Sequence, residues 1–346
     1  MVRNKPLITI CIPTHNRAEY LPETIRSILN QTYKNFELFV INDASTDDTE
    51  AIVKDFKDRR ITYIKNRKNL GYIASMNKGT RLSKCEWIMH VSDDDRMRPT
   101  MLDEMTKVLG EQENKTIGFI VSQSANINGK GDLISDPSLQ LNRKKYIVLN
   151  PGEFIFNFTL YGKKVLGKYI FNTSFPSTLF NRKILIELGL SSKAVPVSHD
   201  ILIESKICLM YPVIVIDKPL FEYRVHQNLG SSLNKRGTFL EEYQKFLLLL
   251  FAFIDKKKIT FPYDFKAYAN NALISYLFSL NGGLVRLAAR FDGGYSKRIF
   301  LIKDIVRFGL RQKKQLLINP RFYIVLLFSL LPRFVLLQAG KLVGSI

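Results

Sequence analysis

The chain has 346 residues, 46% of them apolar, and carries 51 Lys and Arg against 31 Asp and Glu for a formal net charge of +20. That length predicts about two domains, and the composition excludes a disordered, collagen-like or disulfide-scaffold protein. The three cysteines, Cys11, Cys85 and Cys208, are odd in number and widely spaced, which predicts reduced core thiols rather than a disulfide or zinc site, and suits a reducing compartment.

In chain order, the first element is an apolar run from Leu7 to Ile12, preceded by a segment too short and polar to be a secretory signal. It ends on Pro13-Thr14-His15-Asn16-Arg17. Pro22-Glu23 then opens a helical stretch to Gln31, because Pro suits the first helical turn and an acid suits the helix N-terminus. A second apolar run, Phe36 to Ile41, ends on Asn42-Asp43-Ala44-Ser45. The sequence Ser45-Thr46-Asp47-Asp48 reads as the N-cap of a helix reaching Phe56. Asn69-Leu70-Gly71 leads into a further stretch holding Asn77-Lys78-Gly79. The third apolar run, Trp87 to Val91, stops at Ser92-Asp93-Asp94-Asp95, with a helix expected from Pro99.

Apolar runs alternating with helices predict an α/β fold with a parallel sheet. Open sheets of this kind bind ligands at the carboxyl ends of their strands, so the three polar clusters converge on one crevice. Three adjacent carboxylates repel one another and are costly in a fold unless a cation or a solvated turn relieves them. Alone, Asp93-Asp94-Asp95 reads as a solvated turn; beside two other polar strand ends, it reads as part of a site.

Taken in order, these motifs resemble those of the family 2 glycosyltransferases with a GT-A fold, closely over about residues 6 to 110 and more sparsely to about residue 232. The resemblance implies a Rossmann-like, mostly parallel sheet flanked by helices, a nucleotide-sugar donor, Mn²⁺ or Mg²⁺, and sugar transfer with inversion. Carried over residue by residue, it implies that Asp94 contacts the metal, Asp95 contacts it directly or from behind, and Asp93 lies near the ribose. Asp43 matches the position that accepts a hydrogen bond from the base, which favours uracil or thymine because cytosine lacks that N–H. Pro13, Thr14 and Arg17 shape the nucleoside wall, and Arg67 and Lys68 are candidates for a phosphate or base contact. Asn69 and Gly71 either touch the nucleotide or only turn the chain into a helix. The chemistry agrees with the residue types. A divalent ion stabilises negative charge on a leaving diphosphate without a proton donor, and hard carboxylate oxygens select Mg²⁺ or Mn²⁺. His15 reads as an exposed loop residue and His90 as a hydrogen-bonded core histidine.

Further along, Ile117 to Ala125 reads as a strand, Gly129-Lys130-Gly131 as a turn, and Arg143 to Val165 as a variable segment that shapes the acceptor pocket. Pro176 to Phe180 reads as a strand, followed by a helix cap at Asn181-Arg182. Ser198-His199-Asp200 opens a helix over Ile201 to Leu209. By resemblance Asp200 is the base for the acceptor hydroxyl, although His199 stands where the family has Glu, and Asp200 as a simple helix cap remains the competing reading. Tyr223-Arg224-Val225-His226 resembles the segment that closes many such domains. Arg224 and His226 there are candidates to cover the diphosphate, with Gly230-Ser231-Ser232 as a lid; the competing reading is an ordinary edge strand and loop.

The domain expectation is a catalytic unit over residues 1–232 and an α-helical, basic amphipathic region over residues 233–346. Helices are expected over Phe239 to Ile254 and Phe265 to Leu287, and no run reaches the roughly twenty apolar residues needed to span a bilayer. Over Lys297 to Leu317, Ile299, Ile302, Val306 and Leu310 share one helical stripe while Lys303, Arg307, Arg311 and Lys314 share another. From Tyr295 to Ile346 there are ten Lys or Arg and one acid, Asp304. That pattern fits an anionic membrane surface, with a solvated basic face on a helical subdomain as the alternative. Nucleic acid is not expected, since the basic residues flank apolar stripes and no recognised nucleic-acid module appears. The reading is a cytoplasmic protein, peripheral on the inner face of the cell membrane. It adds single sugars, from a UDP-sugar by preference, to a lipid-linked or surface-polysaccharide precursor such as lipopolysaccharide or capsule. Two alternatives stand beside it: a nucleotidyltransferase, which would be expected to show a Gly-rich phosphate loop after the first strand, and a non-catalytic polybasic scaffold.

Overall fold

The computed structural model describes residues 7–136, 146–151, 173–196, 198–225 and 239–260. Backbone contacts divide the chain into two units, Met1–Leu229 with Glu241–Ile259 and Gly230–Leu240 with Thr260–Ile346. The sheet and its flanking helices belong to the first. The expectations for His226, the Gly230 to Ser232 lid, the helix from Phe265 and the basic stretch beyond Tyr295 fall outside the described residues.

The first unit begins with β1 (Ile8–Thr14), α1 (Leu21–Leu29), β2 (Phe36–Asn42), α2 (Thr49–Asp55), β3 (Ile61–Lys65), α3 (Tyr72–Leu82) and β4 (Trp87–His90). It continues with β5 (Arg96–Met97), α4 (Met101–Gly110), β6 (Phe119–Ile127), β7 (Leu133–Ser135), β8 (Tyr146–Leu149), β9 (Thr173–Asn181), α5 (Arg182–Glu187), α6 (His199–Met210) and β10 (Val213–Arg224). The last described helix is α7 (Phe239–Lys257). One sheet runs in the order β3-β2-β1-β4-β9-β6-β10-β5, with β7 beside β6 and β8 beside β10. β3, β2, β1 and β4 are mutually parallel, and β6 is parallel to β10. β9 is antiparallel to both β4 and β6, so it joins two blocks whose strands point the same way.

The unbroken apolar character of β1 follows from its place between β2 and β4, with every residue from Ile8 to Thr14 buried. Ile8, Ile10 and Ile12 are wholly inaccessible to solvent, and each such side chain contributes about 1.5–3 kcal/mol of transfer free energy. Helices cover the sheet through periodic apolar positions. In α1 these are Leu21, Ile25 and Ile28; in α4 they are Met101, Leu102, Met105 and Val108. α3 lies especially close to β1. A Cβ on Gly79 would overlap Cys11 Sγ and stand 3.0 Å from Ile41 Cδ1, so the glycine of Asn77-Lys78-Gly79 is there for helix–sheet contact. All three thiols are reduced and buried.

One boundary differs from the sequence expectation. α4 starts at Met101, not Pro99, because the chain between them is tied to α1: Thr32 N donates to Pro99 O at 2.9 Å and Gln31 Nε2 to Arg98 O at 2.8 Å. The buried Gln31 also accepts from Leu102 N at 3.1 Å, capping α4 from the loop that follows α1. At α2 the capping oxygen belongs to Asp47, whose Oδ1 accepts from Thr49 N at 3.2 Å while its Oδ2 accepts from Ala18 N at 3.0 Å. One acid thus ends a loop and anchors the segment after β1.

The stripe Phe246, Leu250 and Ile254 of α7 is buried within the first unit, and Lys206 Nζ of α6 stands 5.5 Å from the Phe253 ring centroid. Among the described residues no helix is long and apolar enough to cross a membrane.

Candidate functional site at the carboxyl edge of the sheet

Register places the polar strand ends side by side. Thr14 pairs with Asn42, and Asn42 with Lys65. Beyond the last pairs, Asp43 N donates to Thr14 O and Asn66 N to Asn42 O, both at 2.8 Å, while Val91 N donates to Cys11 O at 2.9 Å. The polar loops after β1, β2, β3 and β4 therefore begin as neighbours. Pro13 and Thr14 are buried in the floor, while His15, Asn16 and Arg17 are exposed on the loop above. The loop is braced from β2: Asn16 has φ 54° and Ala44 φ 61°, and Thr46 N donates to Asn16 Oδ1 at 2.8 Å while Asn16 N donates to Ser45 Oγ at 3.1 Å. Ser45 and Thr46 thus shape this wall as well as preceding a helix.

Asp43 is 3% exposed and holds the β3–α3 loop by accepting three hydrogen bonds. Its Oδ1 takes Asn66 Nδ2 at 2.7 Å and Leu70 N at 2.9 Å, and its Oδ2 takes Gly71 N at 2.8 Å. Burial opposes its ionisation, but the donors outweigh burial and hold its pKa below the usual carboxylate range. Asn66 Nδ2 also donates to Ser75 Oγ at 2.9 Å and Asn66 Oδ1 accepts from Lys78 Nζ at 2.6 Å. These three residues were not singled out from sequence, although Lys78 lies inside a quoted motif. Gly71, with φ 86°, begins α3 in a conformation open to glycine, and Asn69 Oδ1 accepts from Gly71 N at 2.9 Å. The structure therefore gives Asn69 and Gly71 a turn-forming role. Arg67 and Lys68 are exposed on the same loop.

The acidic triplet follows β4. Asp93 and Asp94 are half-buried, and Asp95 is 1% exposed. Burial is the main reason the Asp93 pKa is pushed up to about 6; the Asp94 charge adds to it and Arg17 opposes it, which brings Arg17 to the triplet. Asp95 is raised further, again by burial and then by Asp94. Its Oδ1 accepts from Arg224 N at 2.8 Å. Its Oδ2 and Thr14 Oγ1 are buried oxygens with no hydrogen-bond partner among the described residues.

Arg224 does not form the expected cover over the site. It is 2% exposed, and its guanidinium bonds Asp94 O, Asn128 O, Gly129 O and Glu23 Oε2, because β10 ends beneath the triplet and not above it.

The acceptor side is built by α6. Asp200 and His199 lie in its first turn, and Asp200 Oδ1 accepts from its neighbour's amide, Ile201 N, at 2.7 Å; the N-cap is Ser198. Burial raises the Asp200 pKa against the lowering influence of His199. The His199 ring is 6.0 Å from that of Tyr72 and edge-on to Phe175 at 5.5 Å. Glu204, one helical turn after Asp200 and so on the same face, was missed from sequence; its spacing is the signal that could have found it. Burial and the Asp200 charge raise its pKa, and its Oε1 accepts from Thr178 Oγ1 at 3.3 Å. Tyr223 joins the two halves. Its hydroxyl is pushed up to about 12 by burial and then by the charges of Asp95, Asp94 and Asp200, so it lies within electrostatic reach of the triplet and of α6. His90 is a core residue as expected, 1% exposed, 2.8 Å from Thr80 Oγ1 through Nε2, and lowered to about 3 by burial.

Comparison with known proteins adds independent findings. The sequence pattern of "Glycosyl transferase family 2" matches residues 9–189. An uncharacterized glycosyltransferase of Haemophilus influenzae is 32% identical over 149 residues, 40% of this chain and 46% of that protein. Another, from Methanocaldococcus jannaschii, is 30% identical over 243 residues, covering 67% of this chain and 76% of its own length. Among solved structures, S. aureus TarS 1–349 in complex with UDP-GlcNAc superposes with a TM-score of 0.61 at 14% identity, covering 96% of this chain and 89% of that one. At that identity the likeness shows the fold, a mixed α/β sheet flanked by helices.

Proposed function

Since the chain belongs to glycosyl transferase family 2, we propose that it transfers one sugar from a UDP-sugar, with inversion, to a hydroxyl of a lipid-linked or surface-polysaccharide precursor. The observation that carries this reading is the set of polar strand ends at one edge of the sheet, where Asp43 and Asn66 follow neighbouring strands and the buried Asp95 keeps an oxygen with no hydrogen-bond partner among the described residues. These acids and polar termini suit a nucleoside diphosphate, and Asp200 in the first turn of α6 supplies a separate carboxylate. In the step inferred, the acceptor oxygen bonds to the anomeric carbon as the bond to the diphosphate breaks, and Asp200 takes the hydroxyl proton. A raised pKa suits it to that task, provided it remains ionised at the working pH. A UDP donor is supported by the fold likeness to TarS, which was solved with UDP-GlcNAc.

Mn²⁺ or Mg²⁺ would be held by Asp94 and Asp95. Carboxylate oxygens suit these hard ions, and the buried, unpartnered Asp95 Oδ2 is an oxygen that a cation would satisfy. Among the described residues no group of three or more His, Cys, Asp or Glu is arranged to hold an ion, so the donor's phosphates and water would complete the ligand set. When bound, the ion would supply positive charge against the departing diphosphate. The membrane-borne acceptor is supported by ten Lys or Arg against one acid from Tyr295 onward, a charge pattern suited to an anionic leaflet.

Thermal unfolding with UDP, dTDP, GDP, CDP and ADP, each with and without Mn²⁺, tests the donor site. Ligand at about a hundred times its dissociation constant stabilises the native state by about 2.7 kcal/mol. The expected result is a Mn²⁺-dependent shift with UDP that Asp94→Asn removes. Asp200→Asn should keep that shift while transfer falls by about 10²- to 10⁴-fold. No shift with any nucleotide would overturn the reading.

A further inference from the structure

Arg224 closes β10, and this single residue bonds both the Asp94 carbonyl and the Asp95 carboxylate of the acidic triplet. Its Nε donates to Asp94 O at 2.6 Å, and its backbone N donates to Asp95 Oδ1 at 2.8 Å. The remaining donors are fixed to rigid parts of the fold. Nη1 donates to Asn128 O at 3.1 Å and Gly129 O at 3.0 Å, and Nη2 to Glu23 Oε2 at 2.5 Å. The guanidinium also lies 5.2 Å from the Tyr20 ring centroid. Four of its five N–H groups are therefore used on protein oxygens, and the side chain is 1% exposed.

The anchor continues outward. Glu23 is shared with Arg96, whose Nη1 is 2.8 Å away; Arg96 Nη2 donates to Gly131 O at 2.8 Å and its Nε to Glu222 Oε2 at 2.7 Å. Two neighbouring arginines thus hold the 128–131 turn and the start of α1. A peptide unit is planar, so fixing the Asp94 carbonyl fixes the plane from which the Asp94 and Asp95 side chains depart. No flexible ammonium could bond these acceptors at once, because the arrangement uses the fork of a guanidinium.

We propose that Arg224 is a positioning residue that orients the Asp94–Asp95 peptide, and with it the two carboxylates facing the donor diphosphate. The inference rests on the donor site described above. Its effect is indirect: Arg224 touches no substrate and acts through the direction in which the acids are presented. It predicts a specific split between parts of the donor. The nucleoside wall is braced chiefly from the loop after β2, through Ser45, Thr46 and Asp47, whereas metal-assisted diphosphate binding depends on the acids that Arg224 orients.

The test measures dissociation constants of full-length wild-type protein, Arg224→Lys and Glu23→Gln for uridine, and for UDP with and without Mn²⁺. Glu23 is 41% exposed at its side chain, so Glu23→Gln loosens the anchor without emptying a buried position and decides the matter if Arg224→Lys fails to fold. The expected result is uridine affinity within about twofold of wild type, with the Mn²⁺-dependent gain in UDP affinity reduced at least tenfold in Arg224→Lys and in the same direction, to a smaller extent, in Glu23→Gln. A lower melting temperature with an unchanged Mn²⁺ gain would overturn the proposal and leave Arg224 a packing residue. Loss of UDP affinity equal with and without Mn²⁺ would overturn it in favour of a direct phosphate contact. Absence of Mn²⁺-dependent UDP binding in the wild type would instead reject the donor site itself.

Discussion

Replacing Asp43 by Asn separates the structural work of this carboxylate from the base contact that the sequence suggests for it. Asp43 is 3% exposed and accepts from Asn66 Nδ2, Leu70 N and Gly71 N at 2.7, 2.9 and 2.8 Å. An asparagine has one carbonyl oxygen, and its amide would face at least one of these N–H groups as donor against donor. Losing one charge-assisted bond, leaving a buried donor unpaired and weakening the others sums to about 2–4 kcal/mol. For a unit of this size that lowers the melting temperature by roughly 5–15 °C. The effect has a definite pH dependence. The folded pKa of Asp43 is depressed, so its stabilisation is full above the unfolded value of about 4 and is lost as pH falls through the folded value. Urea unfolding of wild type and variant should show a constant gap from pH 7 to pH 5.5 that narrows below about pH 4. Equal stability at pH 7, or a gap unchanged at pH 3.5, would refute the account of Asp43 as organiser of the β3–α3 loop.

Asp93 should behave in the opposite sense. Its folded pKa is raised to about 6, so ionisation near neutral pH destabilises the free protein, and stability should rise as pH falls from above 6 toward 4. Asp93→Asn is therefore expected to raise the melting temperature at pH 7 without divalent ions while weakening UDP binding; a lower melting temperature would show that its charge is compensated. Gly79→Ala would place a methyl against Cys11 Sγ and should destabilise by about 1–3 kcal/mol in denaturant unfolding, and Cys11→Ala in the same chain should recover part of the loss. In the basic stretch, replacing Lys303, Arg307, Arg311 and Lys314 together by Gln should reduce co-sedimentation with anionic vesicles by orders of magnitude, at about 1 kcal/mol per charge, while sparing UDP binding. Unchanged co-sedimentation would remove these residues from membrane contact.

The apolar runs, their halts after Ile12, Ile41 and Val91, and the helices between them were legible because each depends on local periodicity and on where apolar residues stop. Strand-end chemistry was legible for the same reason: in a parallel sheet every such halt lies at one edge, so Asp43 and Asp93 to Asp95 must be near one another once the alternation is recognised. Partners could not be read this way. Asn66, Leu70 and Gly71 converge on Asp43 only because β3 returns beside β2. Glu204 gains meaning only when α6 is laid against β9 and Tyr223. Pro176 to Phe180 was legible as a strand, but the antiparallel place of β9 between β4 and β6 follows from no pattern within its own residues.

Arg224 shows the division most clearly. Its sequence surroundings fit a cover over the diphosphate as well as they fit an edge strand, since an arginine has the same donors in both places. What decides its role is that β10 pairs with β6 along its length and with the two-residue β5 just after the triplet, bringing the guanidinium under Asp94 and beside Glu23. The sequence by itself determined which chemistry stands at each strand end, because that is a local property. Only the tertiary structure decided which donor meets which acceptor, because those pairs are separated by 130 and 201 residues and exist only through strand order.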